Sequence, residues 1–131
     1  MAFGVIYMSG NYKNFGDFLH QKRIAEGVSY RDLASVLGVS APYISDVEKD
    51  RRNAPTMEKL EKIAEYFHLS SEERSLMFDL AGEKKSEVAP DIPNYIKDHD
   101  YVVSALRTAR DLGASEEDWQ NFVDELKRRQ G

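Results

Sequence analysis

The side chains from which metal centres and nucleophiles are built are sparse in this sequence. Its three histidines, His20, His68 and His99, have no metal-ligand spacing and no clustered carboxylate companions, and the chain contains no cysteine. No glycine-rich phosphate loop and no G-x-S-x-G nucleophile elbow occurs. Glu116-Glu117-Asp118 is an acidic first turn that favours the helix macrodipole rather than a catalytic carboxylate pair. These absences argue for binding rather than catalysis, with no metal and no cofactor. One other grouping has chemistry of its own. Gly38-Val39-Ser40 joins two short segments of helical periodicity, the second opening on the small and capping residues of a helix-turn-helix. In that arrangement Gly38 forms a left-handed corner, Val39 plugs the gap between the helices, and Ser40 caps the helix that enters a major groove.

The elements that must position this turn follow from periodicity and capping. Phe15, Phe18, Leu19 and Ile24 fall on one face of a first helix that stops at Gly27. Ser29 and Asp32 form a capping-box variant before a second helix burying Leu33, Ala34 and Leu37. Tyr43, Ile44 and Val47 make the stripe of the third, with Pro42 in its first turn. After the polar loop 50–55, Thr56 caps a fourth helix facing inward with Met57, Leu60, Ile63, Ala64 and Phe67. A Ser70/Glu73 capping box opens a fifth, with Leu76, Met77 and Leu80, ended by Gly82. Residues 83–91 read as a linker, and three more helices follow: a short one through Tyr95 and Ile96, one over about 100–112 closed by Gly113, and a last one capped by Ser115. The reading is all-α. Residues 1–13 form a flexible N-terminal arm, with a short strand or packed arm as the alternative, and Met8 is a second candidate initiator.

From Phe15 to Gly82 the sequence resembles the phage-repressor/Cro-type DNA-binding family, also called the xenobiotic-response-element family. The resemblance rests on Leu33-Ala34-x-x-Leu37-Gly38-Val39-Ser40, on Ile44-Ser45-x-x-Glu48, on a basic loop ending in Pro55, and on the helix from Leu60 to Phe67. It implies a five-helix lambda-repressor-like DNA-binding domain over 14–82, followed by a helical dimerisation or interaction region over 92–131. It also implies roles. Ala41, Pro42, Tyr43, Ser45 and Asp46 face base edges; Ser29, Tyr30, Lys49, Arg51, Arg52 and Asn53 contact phosphates; Arg23 and Glu48 form a structural salt bridge. Two departures matter. Tyr30 stands where many members have glutamine, so one hydroxyl replaces a bidentate phosphate contact. Positions 41, 42, 45 and 46 carry no Arg, Gln or Asn, so readout per half-site is modest and a dimer is needed.

Composition qualifies this picture. The 131 residues carry 18 Lys and Arg against 23 Asp and Glu, a net −5, which on its face opposes a polyanionic partner. Within 14–82, however, most acids fall on the first, fourth and fifth helices, away from the groove, and local sign governs phosphate contact. No apolar run is long enough to cross a bilayer, no basic segment precedes Val5–Met8 as in a signal peptide, and the absence of cysteine fits a reducing cytoplasm. Trp119, Phe122, Val123 and Leu126 form the stripe of the last helix, read as a core or dimer seam. The expected function is a transcriptional regulator, a repressor binding a palindromic operator in double-stranded DNA as a homodimer. The alternative is an antitoxin-type module that neutralises a partner toxin through its C-terminal helices and autoregulates its operon.

Overall fold

The computed structural model describes residues 12–84 and 87–131; most of the expected N-terminal arm, residues 1–11, lies outside them. Among the described residues there are eight helices and no strand: α1 (Phe15–Ala25), α2 (Tyr30–Leu37), α3 (Ala41–Glu48), α4 (Met57–Tyr66), α5 (Ser71–Glu83), α6 (Asp91–Lys97), α7 (Asp100–Leu112) and α8 (Glu116–Gln130). The chain divides into two compact units, Met1–Pro93 and Asn94–Gly131.

In the first unit, α1 to α5 surround one core. Phe18, Leu19, Leu33, Leu37, Ile44, Val47, Leu60, Ile63, Leu76, Met77 and Phe78 are all fully buried. Each such side chain contributes about 1.5–3 kcal/mol of apolar burial, so this cluster supplies the driving force that holds α3 in place. Short-range chemistry sets the boundaries. Asn14 Oδ1 accepts from the Asp17 amide at 2.8 Å and starts α1, while Gly27 (φ 67°) and Gly38 (φ 70°) take the left-handed conformation that ends α1 and α2. Ser70 and Glu73 exchange both capping bonds, 3.1 and 3.0 Å.

Four local expectations need correction. Ile24 is 57% exposed, because α1 turns Arg23 inward in its stead. Ser29 accepts from the Asp32 amide at 3.0 Å, but no return bond from Asp32 completes the box. Thr56 makes no side-chain capping bond. Gly82 does not end α5, which runs on to Glu83. Gly82 is instead a close-packing site, where an added Cβ would lie 2.8 Å from the Glu87 carbonyl oxygen. Residues 87–89, within the stretch read as linker, thus lie over α5, and the Glu87 amide donates to the Gly82 carbonyl at 3.0 Å. Tyr12, at the end of the expected arm, packs edge-on to Phe18 with ring centroids 5.0 Å apart.

In the second unit, Gly113 (φ 71°) closes α7 and a complete Ser115/Asp118 capping box opens α8. Neither α7 nor α8 has a buried residue.

Candidate nucleic-acid interface

The third helix is held from three sides. At its start Gly38 makes the corner, the Val39 amide donates to the Ala34 carbonyl at 3.0 Å, and Ser40 Oγ accepts from the Tyr43 amide at 3.2 Å. Along its length Ile44 and Val47 are buried in the core. At its end the α1 backbone comes against it at Gly16, where an added Cβ would sit 2.5 Å from the carbonyl oxygens of both Val47 and Glu48. Only glycine allows that approach.

A charged network locks the same end. Arg23 Nε donates to Glu48 Oε2 at 2.7 Å, Nη2 to Oε1 at 3.1 Å, and Nη1 to the Val28 carbonyl at 2.9 Å. The Arg23 and Glu48 side chains are 8% and 2% exposed, so the pair is desolvated and its geometry is fixed by directional bonds. The hydrogen bonds it donates to Glu48 hold the guanidinium charged, above its ordinary pKa and against the opposing effect of burial. Tyr30 covers the network with its ring 4.1 Å from the guanidinium carbon. His20 Nδ1 lies 2.8 Å from Glu48 Oε1. Sequence reasoning missed both His20 and Gly16. His20 carried a weak signal, standing one helical turn before Arg23; Gly16 carried none, because its role depends on a helix far along the chain.

Of the base-facing candidates, Pro42 is exposed and Ala41, Tyr43, Ser45 and Asp46 are half-buried. After Lys49 the chain reverses at Asp50, whose φ of 61° is left-handed, and the Arg51 amide donates back to the Asp46 carbonyl at 2.9 Å. This turn brings two phosphate candidates toward a base candidate: Arg51 Nη1 is 3.9 Å and Arg52 Nε 4.0 Å from the Asp46 carboxylate, and Arg52 lies over the Tyr43 ring at 5.1 Å. Lys84 holds the turn from outside, with Nζ 3.1 Å from Asp50 Oδ1. Lys49 and Asn53 are exposed, and Lys49 makes no ion pair among the described residues. Ser29 and Tyr30 sit at the start of α2, Ser29 exposed but with its hydroxyl occupied in capping, Tyr30 half-buried against Arg23. In the second unit, Trp119 and Phe122 stand edge to face at 6.3 Å, exposed together with Leu126, while Val123 is half-buried. Among the described residues no group of three or more His, Cys, Asp or Glu side chains could hold a metal, and no helix is long and apolar enough to cross a membrane.

A short capped helix, braced from behind and flanked by a cationic turn, defines a helix-turn-helix domain. The helix-turn-helix family model matches residues 19–74, and the domain is of the phage-repressor/Cro type. Residues 19–74 thus carry the kind of domain with which transcriptional regulators bind DNA. A solved structure titled as a SinR protein/SinI protein complex aligns with 88% of this chain and 97% of its own, at 22% identity and a TM-score of 0.43. No curated protein matches the sequence.

Proposed function

We propose that the protein is a cytoplasmic, non-enzymatic repressor that binds a palindromic operator as a homodimer, with α3 of each copy in a major groove. The observation that carries the dimer is the exposure of large apolar side chains in the second unit: Trp119 is 41% exposed, Phe122 53% and Leu126 41%. Apolar side chains clustered on one helix face without cover mark an association surface. A second copy is the occupant that suits the reading helix. With three cations beside α3, two of them sharing the Asp46 carboxylate, and no bidentate side chain on the helix, one copy makes few phosphate contacts, and two copies about one DNA turn apart double them.

In this reading the backbone amides at the start of α2, with Ser29 and Tyr30, face one phosphate, and Lys49, Arg51 and Asn53 face the next. Ala41, Pro42, Tyr43 and Ser45 lie along the base edges, where the alanine and proline carbons meet thymine methyls and Ser45 bonds to a base.

Sedimentation of the full chain tests the dimer, alongside a variant carrying Trp119→Asp and Phe122→Asp. The reading expects a dimer for the natural chain and a folded monomer for the variant, with the variant's preference for a two-half-site duplex over a single half-site lost. A monomeric natural chain would contradict the homodimer. It would favour the same apolar face serving a different protein, as in the toxin-neutralising alternative.

A further inference from the structure

We propose that Arg52, braced by Asp46 and Tyr43, reads a guanine base rather than a phosphate. This rests on α3 being the DNA-reading helix. The exposed side of α3 offers no side chain with two parallel donors, since Ala41, Pro42, Tyr43, Ser45 and Asp46 are small, aromatic or acidic. Guanine presents O6 and N7 together in the major groove, and the guanidinium fork is the group that matches both. The chain after α3 supplies that fork.

The left-handed turn at Asp50 and the bond from the Arg51 amide to the Asp46 carbonyl double the chain back beside α3. Arg52 then has a neighbour on two sides. Its guanidinium carbon lies 5.1 Å from the centre of the Tyr43 ring, and its Nε is 4.0 Å from Asp46 Oδ2. The guanidinium lies over the ring, and the carboxylate, nearest its Nε side, leaves the outer pair of Nη nitrogens for a ligand. Arg51 differs: it meets the same carboxylate through its own outer nitrogen, Nη1 at 3.9 Å.

Neither contact on Arg52 is strong alone at this exposure. Together they restrict a side chain with many rotamers, which lowers the ordering cost of a contact that depends on angle. A phosphate contact gains little from such restriction, because charge attraction is weakly directional. Asp46 is therefore a positioning residue for Arg52 and not itself a base contact.

The test uses the full chain and a duplex enriched from a pool of randomised sequence. Each preferred guanine is then replaced by 7-deazaguanine, which pairs normally but lacks the N7 acceptor. The natural chain should lose about tenfold in affinity at one guanine per half-site, the size expected for a bidentate contact. Arg52→Ala should lose the preference for that guanine and show no further loss on the 7-deaza duplex. Arg52→Lys, which keeps the charge without the planar fork, should weaken the preference while keeping its salt dependence. Asp46→Asn should bind a scrambled duplex more tightly yet discriminate less at the same guanine. Arg52 is 57% exposed, so each Arg52 variant should unfold at the same temperature as the natural chain. Uniform weakening of Arg52→Ala on every duplex, with the guanine preference intact, would make Arg52 a phosphate contact and overturn the assignment while leaving the DNA reader standing. Failure of the natural chain to enrich any duplex would remove both.

Discussion

Replacing Gly16 by alanine tests the geometry that seats the reading helix. A Cβ at that position would stand 2.5 Å from two α3 carbonyl oxygens and 2.9 Å from the Glu48 carbonyl carbon. All three are backbone atoms, so no side chain can swing away, and α1 and α3 must separate by roughly 1 Å to restore ordinary contact. Overpacking of this kind costs about 1–3 kcal/mol. Alanine's greater helix propensity offsets up to about 1 kcal/mol, and less in a first turn. The expected net loss is about 1–2 kcal/mol, a factor of roughly 5–30 in the folded-to-unfolded ratio. Urea unfolding reads this as a lower midpoint at unchanged slope. Gly27→Ala is the comparison: nothing lies within 4 Å of its added Cβ, and φ is 67°. Its cost, about 1 kcal/mol or somewhat more, comes from conformation alone. Because Gly16→Ala displaces α3 itself, DNA affinity should fall further for it than for Gly27→Ala at matched stability. Unchanged or increased stability of Gly16→Ala would refute the close approach of α1 and α3.

Arg23→Met should cost about 3–5 kcal/mol by leaving the Glu48 carboxylate buried and unpaired, and the double variant Arg23→Met with Glu48→Leu should recover most of it; a single-variant loss under about 1 kcal/mol in urea unfolding would contradict the network. Ser40→Ala and Ser70→Ala should each cost about 1 kcal/mol through loss of a capping bond, while Thr56→Ala, whose hydroxyl makes none, should stay near zero in thermal melts. Asp79 titrates above the ordinary aspartate range, first through burial and then through the charges of Asp91 and Glu83. Its contribution is therefore fully present below the unfolded-state pKa and is lost as pH rises through the folded one, so Asp79→Asn should be more stable than the natural chain at pH 7 and equal to it in strong acid. Glu73 is the opposite case, held low chiefly by Lys22. Its stabilisation is present above the ordinary glutamate range and lost as pH falls through the depressed value, an acid-side loss that Glu73→Gln should abolish.

Features whose cause lies within a few residues were legible in the sequence. The Gly27, Gly38 and Gly113 corners, the Ser70 and Ser115 boxes and the inward stripe of α4 each depend on i to i+4 relations that a linear reading contains. What escaped depends on distant partners. Ile24 fits the apolar stripe of α1, but Glu48, far along the chain, draws Arg23 inward and rotates the helix. Phe78 joins the core because α5 is covered on more than one side, partly by residues 87–89 passing over Gly82. At the site, the family resemblance named the Arg23 and Glu48 positions, yet His20 beside them was weighed only as a metal ligand. The turn at Asp50 is the clearest case. A run of Lys49, Asp50, Arg51 and Arg52 reads as a solvated basic loop, and only its left-handed reversal shows that two of its cations meet the acid of α3.

The central claim, a dimeric DNA reader with few phosphate contacts on an acidic body, is tested most directly by titrating the full chain against duplex DNA from upstream of its own reading frame over a range of salt. With Lys49 and Arg51 of each copy on phosphates, about four counterions are displaced, and affinity should fall on the order of 100-fold between 50 and 200 mM salt, with log affinity linear in log salt at a slope of about −3.6. Absence of a complex at low salt, or a complex whose affinity does not change with salt, would contradict it.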